Sequence, residues 1–192
     1  MIREKELDGA HLHINFGDTL PAGAVFDIDP IGLWAAHLEP DASTSCDVGI
    51  VILNHGEKWG VKKWALADLK VPLDYWYDEE DKRIFLACQG NPAVKFRSVE
   101  LALTRHIVNE SGKHDVVYDG LAVRYGGAHG FGGGGTARIV IRNCDICWIG
   151  GGLQYWKTRA DGTRYPVRFG NGIEFWGDAA DNLVERNRLW QI

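Results

Sequence analysis

The sequence predicts an all-β chain organised as a β-solenoid, and two recurrences carry that expectation. Tyr118–Val123, Ile141–Ile146 and Val184–Leu189 each begin and end on an apolar or aromatic residue, at shifts of 141 − 118 = 23 and 184 − 141 = 43 residues. A shift near twenty is the contour length of one solenoid turn, and the longer shift is a turn carrying an insertion. A second register agrees: His129-Gly130-Phe131-Gly132 aligns with Asn171-Gly172-Ile173-Glu174, beginning 141 − 129 = 12 and 184 − 171 = 13 residues ahead of the next leading apolar residue. Each turn therefore holds more than one short strand, with glycines at corners where the chain bends or a neighbouring coil comes close.

The elements follow in chain order. Residues 1–44 read as an N-terminal β layer, with strands at His11–Phe16 and Val25–Ile28 and turns at Gly17-Asp18 and Pro21-Ala22-Gly23. Residues 45–98 form an aromatic segment in which Trp59, Trp64, Tyr75, Trp76 and Tyr77 crowd ahead of the charged stretch Asp78–Lys82. That stretch separates Tyr75–Tyr77 from Arg83–Ala87, the pattern of a β-hairpin around a solvated turn. Residues 99–192 hold the coils, and the aromatic, charged, non-periodic Leu153–Arg168 is the insertion, on the face that solenoids often use for binding. The three segments are expected to make one continuous domain.

Residues 130–135, GFGGGG, satisfy the glycine spacing of a dinucleotide loop, but four consecutive glycines satisfy almost any glycine pattern. The helix such a loop must open is missing, since Arg138-Ile139-Val140-Ile141-Arg142 is short and β-branched. Cys144-x-x-Cys147 lacks both a helix start and a second ligand pair, so Cys46, Cys88, Cys144 and Cys147 read as core thiols and no metal or cofactor is expected.

The block YDGLAVRYGGAHGFGGGGTARIVIRNCDICWIGGG, followed by FGNGIEFWGDAADNLVERNRLWQI, resembles right-handed β-helix repeat proteins of the pectin-lyase-like superfamily. LDYWYDEEDKRIFLACQGNPAVKFRSVELALTRHIV is similar to a segment such proteins carry before their main stack, so the resemblance covers roughly residues 45 to 192. It implies a right-handed parallel β-helix with the hairpin segment packed on its side. It also implies further coils beyond Ile192, so an uncapped final coil would expose apolar faces and favour end-to-end self-association. Members of the superfamily act on polysaccharides by several chemistries, and fold alone does not choose among them. They are often secreted or periplasmic.

Composition narrows the partners. The 192 residues are 45% hydrophobic and 11% aromatic, ample for a core, with a net charge of −5. Lys62-Lys63 is the only basic cluster, which argues against nucleic acid. The start MIREKELDGA is charged where a signal peptide is apolar, and no run reaches membrane-spanning length. The expected partner is a polysaccharide or oligosaccharide.

Hydrolysis of a glycan needs two carboxylates across the scissile bond and aromatic platforms for the sugar faces. Among Asp119, Asp145, Glu174, Asp178, Asp181 and Glu185, the catalytic candidate is Glu174, because its neighbours Ile173 and Phe175 face the core and turn it outward. His129 is the second catalytic candidate, matched in the adjacent coil by Asn171; the two line a groove or form a corner ladder that satisfies turn backbone. Ala128-His129-Gly130 approaches the Gly-His-Gly of polygalacturonases, whose other motifs are absent. Asn171, Trp176, Trp148, Trp156, Tyr155 and Arg168 are the candidate substrate-binding residues. Two functions stay open: a glycoside hydrolase or polysaccharide lyase, and a non-catalytic glycan-binding or structural segment. A carboxylate pair converging on one groove favours the enzyme, and an aromatic groove without such a pair favours the binder.

Overall fold

The computed structural model describes residues 47–192, except the side chain of residue 93, together with the backbone of Ile2–Lys5, His11–Ile14, Val25–Ile28 and Ile31–His37. The N-terminal turns expected at residues 17–18 and 21–23, and Cys46, lie outside the described residues. Of the strand expected at His11–Phe16 the described part, His11–Ile14, is present, as is the strand expected at Val25–Ile28.

Two five-stranded sheets build the first half. One runs in the order Ile2–Lys5, His11–Ile14, Val99–Leu103, Val48–Leu53, Lys58–Trp59, antiparallel throughout. The other runs Val25–Ile28, Ile31–His37, Arg83–Ala87, Asp74–Asp78, Val61–Lys62, antiparallel except for its last pair. Strand alternation sorts the side chains of the second sheet. Tyr75, Tyr77, Ile84 and Leu86 turn inward onto Val48, Val51, Leu53, Val99, Leu101 and Leu103 of the first sheet, while Trp76, Phe85 and Ala87 pack with Leu69 on the other face. The hairpin expected around Asp78–Lys82 is present, with Tyr77 opposite Ile84.

The second half pairs in parallel. Val108–Asn109, Phe131–Gly134 and Ile173–Trp176 form one three-stranded sheet. Val117–Asp119, Val140–Arg142 and Leu183–Glu185 form a second, and Ala122–Gly126, Asp145–Ile149 and Arg188–Trp190 a third. Val123 stands opposite Ile146 as its spacing predicts, and both are buried with Phe131, Ile139 and Ile141. The corners recur with the strands: Asp115, Arg138 and Asp181 all adopt positive φ, as do Gly120, Asn143 and Arg186. Asparagines tie successive layers. The Asn187 Oδ1 accepts from the Cys144 N–H (2.8 Å) and its Nδ2 donates to the Ile141 carbonyl (2.8 Å). Asn182 Oδ1 likewise accepts from the Ile139 N–H at 2.9 Å.

This pattern corrects the right-handed parallel β-helix expected from the sequence. The chain is all-β, with short strands divided among six separate sheets; the two largest are antiparallel except where Val61–Lys62 meets Asp74–Asp78, and the other parallel strands form three small sheets of three strands each. No single continuous or closed sheet joins them among the described residues. The physical reason lies in the pairing. The residue shifts report only that short strands pair with the strands one layer on, whereas residues 48–103 carry no such repeat and their strands pair antiparallel, Asp74–Asp78 with Arg83–Ala87 around a tight turn and Val48–Leu53 with Val99–Leu103 across a long stretch of chain. The inward position expected for Leu121 is also corrected: it follows Gly120, whose φ is 72°, and stands 41% exposed, while Cys144 is buried. The insertion Leu153–Arg168 is a hairpin of Leu153–Thr158 against Arg164–Arg168.

Glycine lets the two halves meet. A Cβ on Gly49 would lie 2.4 Å from the Gly150 carbonyl oxygen and 2.5 Å from the Gly127 Cα, so backbone packs directly on backbone there. Beside this seam Ile52, Cys147 and Trp148 form a shared buried cluster.

Candidate functional site

Two neighbouring features carry the chemically interesting side chains. The first is a ledge on the sheet formed by Val108–Asn109, Phe131–Gly134 and Ile173–Trp176. Ile173 packs inward against Phe131, so the next residue, Glu174, turns outward and stays about one-third exposed. His129 approaches from the adjacent layer with its Nε2 at 2.8 Å from Glu174 Oε2, and Asn171 Nδ2 donates to the same oxygen at 2.5 Å. His129 and Asn171 occupy matching positions, as their spacing predicts; the Gly130 N–H donates to the Asn171 carbonyl at 3.3 Å.

The sequence reasoning missed His106. Its ring lies parallel to that of His129, 5.0 Å between centroids with 5° between planes. The signal was available, because 129 − 106 = 23 is the shift that relates the other layers. Glycine again makes the space: a Cβ on Gly132 would meet the His106 ring at 2.9 Å, and one on Gly134 would meet the Trp176 indole at 2.5 Å. The GFGGGG stretch therefore seats two aromatic rings. Phe169 closes the ledge with its edge toward both imidazoles, at 6.1 Å from His106 and 5.1 Å from His129, and Trp176 leans over both at 5.8 and 6.2 Å.

Burial pushes the His106 pKa down, reinforced by His129 and opposed by Glu174, so His106 is neutral near pH 7. The Nδ1 atoms of both histidines are buried without a hydrogen-bond partner. A His129 that donates from Nε2 to Glu174 leaves its Nδ1 as an unfilled acceptor. The ledge thus offers one carboxylate held by an imidazole and an amide. It does not offer the carboxylate pair that glycoside hydrolysis requires. Among the described residues, no three His, Cys, Asp or Glu side chains converge to hold a metal ion.

The second feature is a cleft of about 680 Å³ where the two halves meet, lined on one side by Trp59, Val61, Lys62 and Tyr75 and on the other by Trp148, Arg168 and Phe169. Phe169 separates it from the ledge. Trp148 meets Trp59 edge to face at 5.4 Å and Trp190 at 6.4 Å, a row of three indoles. Lys62 is an anchor: its Nζ donates to Asp47 and to the Val48 carbonyl (2.6 Å), and Asp47 Oδ2 also accepts from the Leu153 N–H at 2.6 Å. Burial pushes the Lys62 pKa down against the pull of Asp47. Burial also pushes the Tyr75 pKa up, and its hydroxyl donates to the Gly49 carbonyl at 2.5 Å. Arg168 is the cation of the cleft with no ion-pair partner among the described residues, and none of the lining side chains is a carboxylate.

The predicted site residues therefore divide into three groups. Glu174, His129, Asn171 and Trp176 come together on the ledge. Trp148 and Arg168 line the cleft. Trp156 and Tyr155 lie elsewhere on the insertion hairpin, Trp156 with its ring edge-on to Trp64 at 5.8 Å and Tyr155 half exposed. Trp59, Lys62 and Tyr75, which complete the cleft, come from the antiparallel half and carry no sequence signal linking them to Trp148.

Compared with protein-family models, with curated proteins and with solved structures, the chain finds no match. Function must therefore be argued from the geometry of these two features.

Proposed function

We propose that this protein binds glycans without cleaving them, and that acidic polysaccharides occupy the cleft between its halves. The observation that carries the reading is the cleft lining: an accessible Trp59, 48% exposed, and Arg168, which has no ion-pair partner among the described residues, with no carboxylate among the lining side chains. An indole stacks on the apolar face of a sugar ring, and a guanidinium grips a uronate carboxylate in bidentate fashion. Lys62 and Tyr75 are committed to internal hydrogen bonds, so they shape the wall and do not act as a base. A polysaccharide ligand is also what the sequence resemblance of residues 45 to 192 to pectin-lyase-like proteins implies. Glu174 stands outside the cleft and has no partner carboxylate, which favours binding over hydrolysis.

Affinity electrophoresis through polygalacturonate, alginate and a neutral glucan tests this. The protein is expected to be retarded by the acidic polymers, and Trp59→Ala and Arg168→Ala should each weaken that about tenfold, the scale of one lost stacking or charge-assisted contact. Glu174→Gln should change nothing. Release of reducing ends or unsaturated uronates, or equal retardation by the neutral glucan, overturns the proposal.

A further inference from the structure

The insertion hairpin gathers charge of the opposite sign to the rest of the chain. Residues 153–168 hold Lys157, Arg159, Arg164 and Arg168 against one acid, Asp161, a net of +3 in a chain whose total is −5, which leaves −8 on the rest. These cations are spaced along the sequence, and the pairing of Leu153–Thr158 with Arg164–Arg168 brings them together.

The neighbouring layers treat their cations differently. Arg138 is paired with Asp115, Arg142 with Asp119, Arg186 with Glu185, and both Arg124 and Arg188 with Asp145. None of the four hairpin cations has an ion-pair partner among the described residues, and aromatic rings hold two of them instead, Arg159 over Tyr165 at 4.8 Å and Arg164 over Trp156 at 5.1 Å. Asp161 is engaged by its own turn, accepting from the Thr163 N–H at 2.8 Å.

The cross-strand register sorts the hairpin into two faces. Tyr155 stands opposite Val167 and Lys157 opposite Tyr165, so these four share one face, which the Arg159 side chain joins. Trp156 and Arg164 lie on the other, where Glu79 and Glu80 stand beside Trp156 and oppose an anion. On the first face Lys157 and Arg159 are exposed, and the half-exposed Tyr155 offers its ring to a sugar.

We propose that this face, with Tyr155, Lys157 and Arg159, is a second contact for the acidic polysaccharide whose first contact is the cleft. The inference rests on the cleft reading, because Arg168, at the root of the same hairpin, lines the cleft. A uronate chain long enough to leave the cleft meets the hairpin at high effective concentration, so two weak contacts combine into a stronger one. A duplex or an anionic bilayer is broad enough to meet the surrounding negative charge as well, whereas a single polysaccharide chain can follow the hairpin alone.

Calorimetric titration of the intact protein with a galacturonate trimer and with polygalacturonate tests the proposal. The double variant Lys157→Gln/Arg159→Gln should lose about fivefold in affinity for the polymer and nothing for the trimer, with the loss shrinking at high salt because both charges are exposed. Lys157→Arg/Arg159→Lys, which keeps both charges, should bind the polymer as the wild type does. Trp59→Ala separates the two readings, since it should weaken trimer and polymer alike. If it weakens neither while Lys157→Gln/Arg159→Gln still weakens the polymer, the cleft reading falls and the hairpin contact stands. Unchanged polymer binding by Lys157→Gln/Arg159→Gln, an equal loss for trimer and polymer, or tighter binding of single-stranded DNA or phosphatidylserine vesicles through the same two residues overturns the proposal.

Discussion

The strand Val99–Leu103 in the antiparallel half and the strand Val140–Arg142 in the parallel half obtain their stability differently. Every residue of Val99–Leu103 is buried, because the strand is central in its sheet and the sheet is covered on both faces. In Val140–Arg142 only Ile141 is buried; its neighbours are half exposed and the strand is held by contacts to the layers on either side. The first half is stabilised mainly by area removed from water, the second by columns of like positions in successive layers. The columns include the inner Val123–Ile146 pair, the asparagine amides at the corners, and surface pairs such as Arg142 with Asp119 at 2.7 Å.

The largest test of this difference removes one fully buried side chain from each half. Leu101 and Ile141 are both 0% exposed, and truncating either to Ala should cost about 2–5 kcal/mol, the usual range for a buried aliphatic. Gly49 against Gly127 and Gly150, with the Ile52, Cys147 and Trp148 cluster, couples the halves, so each variant is expected to melt in one transition at a lower temperature. Differential scanning calorimetry that resolves two transitions, only one of them shifted, would show that the halves unfold independently.

What was legible in the sequence follows the same division. The column positions were readable wherever the layer spacing was undisturbed: Val123 over Ile146, and His129 beside Asn171 with Glu174 facing out. His106 belonged to that same column and was missed because the repeat was not extended one layer toward the N-terminus. The antiparallel half has no repeat to follow. Its hairpin was visible from Tyr75-Trp76-Tyr77 and Arg83–Ala87, but its partners Val48–Leu53 and Val99–Leu103 are brought together by long-range pairing that leaves no spacing rule in the chain. The cleft was invisible for the same reason, since Trp59 and Trp148 meet only after both halves have folded.

A second test strikes the columns alone. Asn187→Ala leaves the Cys144 N–H and the Ile141 carbonyl without their partner, one amide serving two backbone groups of the layer beneath. An unsatisfied, partly buried polar group costs about 1–3 kcal/mol. Hydrogen exchange is expected to rise first at residues 139–146 in this variant while residues 99–103 keep their protection. A uniform increase across both halves would mean that the amide supports the whole molecule and not one layer contact.

The smallest effect expected is an acid sensitivity confined to the parallel half. Asp145 is held below the usual carboxylate range by the hydrogen bond from the Trp190 indole (2.9 Å), then by Arg124; Asp119 is held down by the Asn143 amide (2.7 Å), then by Arg142. A depressed carboxylate contributes stability that is complete above its unfolded value, about 3.9, and is lost as pH falls through the folded value. His106 acts in a higher window: burial depresses its pKa, so folding favours the neutral ring, and that contribution is present above about 6.5 and is lost as pH falls below it. The thermal midpoint is therefore expected to decline in two steps, the upper flattened by His106→Gln and the lower made shallower by Asp145→Asn. Asp119 is exposed and Asp145 partly so, and solvent screens both, so the lower step should be a fraction of the loss from Leu101→Ala. Identical pH profiles for the wild type and both variants would show that the columns are held by packing and amides alone, with their charges solvated bystanders.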